Sequence, residues 1–256
     1  MAHNHGSAGA GDLKSPIRNR YFYGKLLDVH HFKLEQDYFN DKRWLLNRGV
    51  AGFGVVCGLG VEWTEDRKHV VVHPGVAIDK CGREIIVVRR SEPQSVDLEG
   101  THPRPVSRDE CDDDDEWVHV SLCYHECESD PERALGGDCD TEAVCAPSSI
   151  RERYTIEVLP GRVRAYRPEC SIPGVIEDGK IDFRALARYV SRRCRRVPEN
   201  CCIPLANVRV NGPEQRNDTE GIDITIRPIV YTNDLLFELI LACCDQEHHE
   251  EYGEKE

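Results

Sequence analysis

An amphipathic helix is predicted early in the chain. Asp28 is a suitable N-cap residue, because its carboxylate can accept a hydrogen bond from the first helical turn. Gly49 and Gly52 favour an end to the helix. Between these positions an apolar stripe repeats at intervals of seven, with a second apolar residue beside two of its members, and this is a helical pattern. The members of the stripe are Phe32, Tyr38, Phe39, Leu45 and Leu46.

From residue 53 onward the apolar pattern indicates β-strands. Residues 53–63 form an apolar run interrupted by glycines, which predicts one strand, and residues 70–72, 76–78 and 85–88 are short apolar runs. Residues 79–82, with the sequence DKCG, lie between the last two runs. Asp and Gly tolerate the dihedral angles of a tight turn. This stretch therefore predicts a compact unit of β-hairpins.

The second half of the chain also carries strand patterns. Residues 117–124 and 154–159 alternate as strands with one buried face do. Residues 125–149 are rich in Cys, Asp and Gly and are predicted to form a loop. Residues 203–210 predict a further strand, and the alternating isoleucines of residues 222–226 predict its return strand.

Two more helices are predicted in this half. Asp182 can cap a short amphipathic helix whose outer face is rich in arginine. We interpret that face as a solvated surface, with an acidic partner surface as the alternative. Asn233 is the expected cap of a final helix that ends near Cys244.

The order of these elements predicts a mainly β protein of the α+β class. It combines antiparallel β-hairpins with an N-terminal helix, a short mid-chain helix and a C-terminal helix, and long parallel βαβ units are missing from the pattern. The predicted organisation is a disordered tail (1–16), an N-terminal helix plus β module (17–98), an acidic linker loop (99–116), a β-rich second module with the terminal helix (117–244) and an acidic tail (245–256).

Charge and hydropathy narrow the classes of function. The 256 residues carry a net charge of -13, and residues 109–116 hold seven acids. Such a chain should repel nucleic acid and anionic lipid, so we expect no nucleic-acid partner. No apolar run approaches the roughly 20 residues of a membrane-spanning helix, so no membrane insertion is expected. The first residues lack the apolar stretch of a signal peptide, which favours a cytoplasmic protein.

Thirteen cysteines raise the question of metal binding. Because the number is odd and no signal peptide is seen, reduced thiols or a metal are favoured over disulfides. Zinc is the candidate metal, since thiolates and imidazole can hold it tetrahedrally. An internal disulfide and independent thiols are the alternatives. The candidate ligands are Cys123, His125, Cys127, Cys139 and Cys145.

A second group of cysteines follows the short mid-chain helix. It comprises Cys194, Cys201 and Cys202. Neighbouring residues of a strand point to opposite faces, so at most one of the adjacent pair should join Cys194. Buried free thiols are the favoured interpretation.

Motifs of known catalytic sites are missing from the sequence. It has no G-x-S-x-G turn, no phosphate-binding loop and no H-E-x-x-H helix. We therefore expect a protein that is not an enzyme and has no cofactor other than the candidate zinc. A cysteine-dependent hydrolase, with Cys57 as the nucleophile and a distant histidine, is the competing hypothesis.

Three N-terminal segments resemble a known group of proteins. The segments RYFYGKLLDVHHFKLEQDYFNDKRWLLNR, GFGVVCGLGVEW and VVVHPGVAIDKCGREIIV look like the N-terminal signature of proteins encoded in bacterial contractile injection loci. The segment PGVAID-x-x-GREI is also similar to β modules of phage tail-fibre and baseplate-peripheral proteins. CIPLANVRVN and IDITIRPIVYTNDLLFELI resemble the closing part of the same proteins. The resemblance covers roughly residues 18–90 and 200–242 and leaves out the acidic, cysteine-rich middle.

The resemblance implies a structural subunit of a phage-tail-like particle. Such a subunit would occupy a baseplate-peripheral, fibre-adaptor or anchoring position, would contact baseplate, sheath or fibre proteins, and would be present in several copies. A trimer is common in such fibres. A zinc-stabilised binding module that acts alone is the alternative from a different class.

The residues before the first helix have the composition of an interface. Aromatic residues and arginine are enriched where proteins bind each other. The alternative is that these side chains fold back onto the core of their own chain. The candidate interface residues are Arg18, Arg20, Tyr21, Phe22 and Tyr23.

Overall fold

The computed structural model describes residues 15–97, 117–133, 145–166, 170–177, 179–192, 194, 196–210 and 221–253. Within these ranges the chain is mainly antiparallel β-structure with three α-helices, which confirms the predicted fold class. In chain order the elements are α1 (Val29–Leu46), a π-helical turn (Asn47–Ala51), β1 (Gly54–Gly58), β2 (Val61–Trp63), β3 (His69–Val72), β4 (Gly75–Ile78), β5 (Glu84–Val87), β6 (Gln94–Ser95), β7 (Trp117–Arg133), β8 (Cys145–Pro160), β9 (Ile176–Glu177), β10 (Lys180–Ile181), α2 (Phe183–Val190), β11 (Ile203–Arg209), β12 (Ile222–Asp223) and α3 (Asn233–Gly253).

The strands form three main sheets and one short hairpin. Their strand orders are β1-β4-β5, β2-β3-β6 and β12-β11-β7-β8, and β9 pairs with β10. The glycine-broken run of residues 53–63 was predicted as one strand, and this was wrong, because β1 and β2 belong to different sheets. The chain turns between them at Gly58, where φ is +66°, and at Leu59, where φ is +58°. A Cβ atom on Gly58 would lie 2.2 Å from the carbonyl oxygen of Pro74, so glycine is needed there.

The longest strands form a hairpin that the sequence did not indicate. β7 and β8 pair from Val118 and Pro160 at one end to Arg133 and Cys145 at the other. Residues 125–149 were predicted as a loop, which was wrong for the described parts of that range. Beyond Tyr124 most side chains on both strands are exposed. Because neither face is buried there, the alternation of apolar and polar residues that reveals a strand is missing.

One apolar cluster lies at the centre of the protein. It is rich in valine, and its members come from all three main sheets and from both predicted modules. The boundary predicted between those modules, residues 99–116, lies outside the described residues. The fully buried members of the cluster include Leu59, Val70, Val72, Val120, Leu122, Ile203, Leu205 and Val208.

The helix starts were predicted with mixed success. Asp28 caps α1, since its carboxylate accepts from the N–H of His31 at 3.1 Å. Asp182 caps α2 by accepting from the N–H groups of Arg184 and Ala185. The cap predicted for α3 was wrong by one residue. The hydroxyl of Thr232, and not Asn233, accepts from the first turn of α3.

The C-terminal end of α1 is fastened to the turn between β4 and β5. The side-chain amide of Asn47 donates to the carbonyl oxygen of Gly82 at 2.8 Å and to the carboxylate of Glu84 at 2.9 Å. Arg43 pairs with the same carboxylate at 3.2 Å. The N-terminal half of α1 has no comparable attachment to the sheets among the described residues.

Candidate functional site

The described members of the set predicted to bind zinc do not converge. Cys123 is bonded to Cys202, which removes its thiolate from the set. Cys127 lies opposite Arg151 in the β7–β8 hairpin, whereas Cys145 lies opposite Arg133 at the far end. Six residues of strand separate these positions, which is about 20 Å. His125 is exposed on β7, and Cys139 lies outside the described residues.

Two disulfides occupy the position where free thiols were expected. Cys81 is bonded to Cys201 and Cys123 to Cys202. The prediction of reduced thiols was wrong for these four residues. Cys194 is free, as predicted, but it is exposed rather than buried. Because adjacent residues in an extended chain point to opposite sides, Cys201 and Cys202 reach two different elements. They join the start of β11 to the β4–β5 turn and to β7.

The sequence carried no signal for Cys81 as a disulfide partner. It lies in a hairpin turn 120 residues before Cys201. The turn itself is held by Asp79, which is fully buried. The Asp79 carboxylate accepts from the N–H groups of Cys81 and Arg83, each at 2.8 Å, and from the Arg83 guanidinium at 2.7 Å. Cys81 is thus held in place beside Cys201 by the turn.

Each disulfide has a carboxylate nearby, and each group could hold a metal ion only after reduction. One group is Asp79, Cys81 and Cys201, and the other is Cys123, Glu157 and Cys202. The ligand atoms within a group lie within 4.8 Å of one another. Cysteine binds zinc as a thiolate, and a cysteine in a disulfide cannot form a thiolate until the bond is reduced. The carboxylate of Asp79 is also already occupied by its three hydrogen bonds.

The predicted interface residues are exposed. We call residues 17–28 the arm. The side chains of Tyr21, Phe22 and Tyr23 are 52%, 64% and 106% exposed, and Arg18 and Arg20 are exposed as well. The alternative, that these side chains fold back onto the core, is therefore wrong for the described structure.

The arm folds against the first turns of α1 rather than against the sheets. The hydroxyl of Tyr21 donates to the carboxylate of Glu35, and this hydrogen bond raises the pKa of Tyr21. The ammonium of Lys25 donates to the side chain of Asn19 and lies 6.0 Å from the ring centres of Tyr21 and Phe22. These contacts fix the arm as a local structure with its aromatic rings outward.

A shallow, positively charged cavity lies between the arm and α1. Its volume is about 520 Å³. The amide nitrogen of Asn19, in its wall, is buried and has no hydrogen-bond partner, so a donor remains available to an incoming acceptor. The lining residues are Arg18, Asn19, Arg20, Phe22, Lys25, His30, His31 and Leu34.

Two helices present apolar side chains to solvent. No residue of α1 is buried, and Phe39, in the predicted stripe, is 62% exposed. α3 begins with an apolar segment in which Phe237 is 60% exposed. The other exposed apolar residues of these helices are Val29, Phe32, Leu45, Leu46, Leu236, Leu239, Ile240 and Leu241.

The comparisons with known proteins leave the family open. No protein-family model matches the chain, and no curated protein matches it either. Among the described residues, no helix combines the length and the apolar character needed to cross a membrane. The function must therefore be argued from the surfaces of this chain.

Proposed function

We propose that the protein is a non-enzymatic structural subunit of a phage-tail-like contractile injection particle. Its position would be baseplate-peripheral, a fibre adaptor or an anchor, in contact with baseplate, sheath or fibre proteins. The observation that carries this proposal is the uncovered apolar stripe of α1. The type of particle is inferred from the sequence resemblance. The role in assembly is inferred from the exposed apolar surfaces.

The stripe of α1 argues for a partner because isolated helices are weak. Most helices in proteins owe their stability to packing of an apolar face, and α1 has no buried residue to supply it. Covering one large apolar side chain such as Phe32 or Phe39 contributes about 1.5–3 kcal/mol. A partner that covers both rings would therefore stabilise α1 and bind tightly in the same step.

The arm adds a second surface of suitable chemistry. Tyrosine and arginine side chains supply much of the binding energy of protein interfaces. Tyr21, Phe22 and Tyr23 project beside Arg18 and Arg20 on a segment that is already folded. A pre-folded segment loses little conformational entropy on binding, which favours affinity.

The β-structure supports this assignment as a rigid base. The buried cluster joins all three main sheets, and the two disulfides link β11 to two other elements. Among the described residues, α1 is fastened to that base at its C-terminal end. The arrangement suits a subunit that holds a docking helix at a fixed place.

Sedimentation of native particles tests the proposal. The tagged protein, expressed in its native host, should co-sediment with intact sheath and baseplate. The variant F32D/F39D should lose at least about tenfold of this association, because two aspartates would be buried in an apolar contact. The matched control I176D/I181D changes two exposed apolar residues of the β9–β10 hairpin and should co-sediment normally. Wild-type protein that stays out of the particles, or F32D/F39D that still enters them, would overturn the proposal.

A zinc-stabilised binding module is the second candidate function. The two cysteine–carboxylate groups favour it, and it requires both disulfides to be reduced. It predicts one zinc ion for each occupied group in the reduced protein and unfolding by a chelator. Reduced protein that binds no zinc and stays folded in the chelator would decide against this candidate.

A further inference from the structure

We infer that the arm of one copy docks on α3 of a second copy. This inference rests on the proposed function, because it names the partner that covers part of the exposed surface. The contact would join two different surfaces of the same chain. Repetition of such a contact builds rings or open chains rather than closed pairs.

The charge of α3 is opposite to that of the arm. α3 contains six acidic residues and no lysine or arginine. Asp234 and Glu238 are exposed and lie four residues apart, which places them on one face. Phe237 and Leu241 lie within the same turns and are exposed. The surface of α3 from Asp234 to Leu241 is therefore both acidic and apolar.

The arm has the complementary chemistry. Its cations are Arg18, Arg20 and Lys25, and its single acid, Asp28, is used as the cap of α1. Neither Arg18 nor Arg20 forms an ion pair with a described residue. Both line the cavity in which the amide of Asn19 lacks an acceptor. A carboxylate from an acidic helix would pair with the guanidinium groups.

The apolar area on the arm is sufficient for a specific contact. At their observed exposures, the three aromatic rings and Leu26 offer roughly 500–700 Å² of apolar surface. A standard protein interface covers about 800 Å² on each partner, including its polar rim. The basic residues around the rings supply such a rim.

The contact is not made within one described chain. α3 starts beside β1, where the N–H of Val230 donates to the carbonyl oxygen of Val55 at 3.0 Å. The C-terminal end of α1 leads into the same strand, and the arm lies at the opposite end of α1, about 27 Å away along the helix. α1 and α3 do not pack along each other. A second copy is therefore the partner that brings the two surfaces together.

Charge exchange in the full-length protein tests this contact. The measurement is molar mass by light scattering after size exclusion at low ionic strength. Wild-type protein should be oligomeric. The variants R18E/R20E and D234K/E238K should each associate at least about tenfold more weakly, because like charges would face each other across the contact. An equimolar mixture of the two variants should associate more tightly than either variant alone, since opposite charges then meet again.

Two further variants make the result specific. The control R184E/R188E reverses two exposed arginines of α2 and should keep the wild-type mass. The quadruple variant R18E/R20E/D234K/E238K exchanges both charges within one chain and should oligomerise as wild type does. Circular dichroism should show equal helix content in all variants.

The outcomes separate this contact from assembly in general. Three results would each overturn the arm–α3 contact. The first is a monomeric wild-type protein, and the second is an unchanged mass in both reversed variants. The third is a mixture and a quadruple variant that both stay monomeric. The assembly proposal is decided separately by particle sedimentation. If wild-type protein enters particles but the charge reversals do not change its molar mass, the arm–α3 contact is rejected. The proposed role in particle assembly is then unaffected.

Discussion

The side-chain amide of Asn207 forms two hydrogen bonds with the backbone of Val163. It donates to the carbonyl oxygen at 2.7 Å and accepts from the N–H at 2.9 Å. Asn207 is fully buried on β11, and Val163 lies just beyond the end of β8. The N–H and carbonyl of Val163 are not paired with a strand. The amide of Asn207 forms the two hydrogen bonds that a neighbouring strand would otherwise form.

Replacement of Asn207 by alanine should destabilise the protein. It would leave the N–H and carbonyl of Val163 without partners, at a cost of roughly 2–4 kcal/mol in the free energy of unfolding. Asn207→Asp should also be destabilising, because a carboxylate cannot donate to the carbonyl oxygen. Urea unfolding measures both variants. Asn233→Ala, at an exposed position, should stay within about 0.5 kcal/mol of wild type. If Asn207→Ala and Asn233→Ala have equal urea midpoints of unfolding, the hydrogen bonds between Asn207 and Val163 do not contribute to stability.

The disulfide between Cys123 and Cys202 should contribute to stability. Its two cysteines are 79 residues apart, and a crosslink of that length restricts the unfolded chain. Cys202→Ser should therefore lower the free energy of unfolding by about 2–4 kcal/mol under oxidising conditions. Cys194→Ser, at an exposed free cysteine, is the matched control and should have little effect. With dithiothreitol present, the difference between the two variants should largely disappear.

Peptide mapping checks the disulfide pattern directly. Trypsin does not cut between Cys201 and Cys202, so both disulfides should appear in one assembly of three peptides. These peptides begin at residues 81, 109 and 197. Reduction should release all three. Recovery of the peptide from residue 197 with two alkylated thiols, from protein never exposed to reductant, would contradict the pattern.

The features that could be predicted from the sequence depend on local chemistry. The seven-residue spacing of Phe32 and Phe39 marks a helix, and the aspartates Asp28 and Asp182 mark helix starts, because each signal acts within a few residues. The composition of the arm predicted an exposed interface, with side chains folded back onto the core as the alternative. The strongest predictions of the fold therefore concern segments whose structure is decided nearby.

The features that could not be predicted depend on distant contacts. The pairing of Cys81 with Cys201 spans 120 residues, so no pattern within a few residues of either cysteine indicates it. The outer part of the β7–β8 hairpin has no buried face and so no alternation to detect. Cys123 and Cys127 lie four residues apart on β7 and so share a face of the strand, yet Cys123 is bonded to Cys202. Spacing alone fixed a direction for these side chains but not a partner.

The fastening of α1 should depend on Gly82. In this turn φ is +91° at Gly82, and an added Cβ atom would lie 2.2 Å from the carbonyl oxygen of Trp44. Gly82→Ala should therefore loosen α1 from the turn as well as strain the backbone. Gly179→Ala is the matched control, because φ is +72° there with open space around it, and should cost only the backbone strain of about 1–2 kcal/mol.

Hydrogen exchange and urea unfolding separate these two effects. Gly82→Ala should destabilise more than Gly179→Ala and should speed amide exchange in the last turns of α1, around Asn47. An equal loss of stability in the two variants, with unchanged exchange in α1, would mean that the close approach to Trp44 does not hold the helix.

Stability at acid pH should depend on Asp223. Burial raises the pKa of Asp223, but hydrogen bonds from the hydroxyl and N–H of Thr225 and from Arg162 outweigh it, so the net pKa is lowered. A carboxyl group with a lowered folded pKa stabilises the protein above its unfolded pKa, near 4, and loses that contribution as the pH falls through the folded value. Because Asp223 is partly exposed, we expect no more than about 1 kcal/mol. Urea unfolding at pH 7 and pH 3 should show a smaller loss of stability on acidification for Asp223→Asn than for wild type. Parallel losses in the two proteins would show that Asp223 is not among the groups that make the fold sensitive to acid.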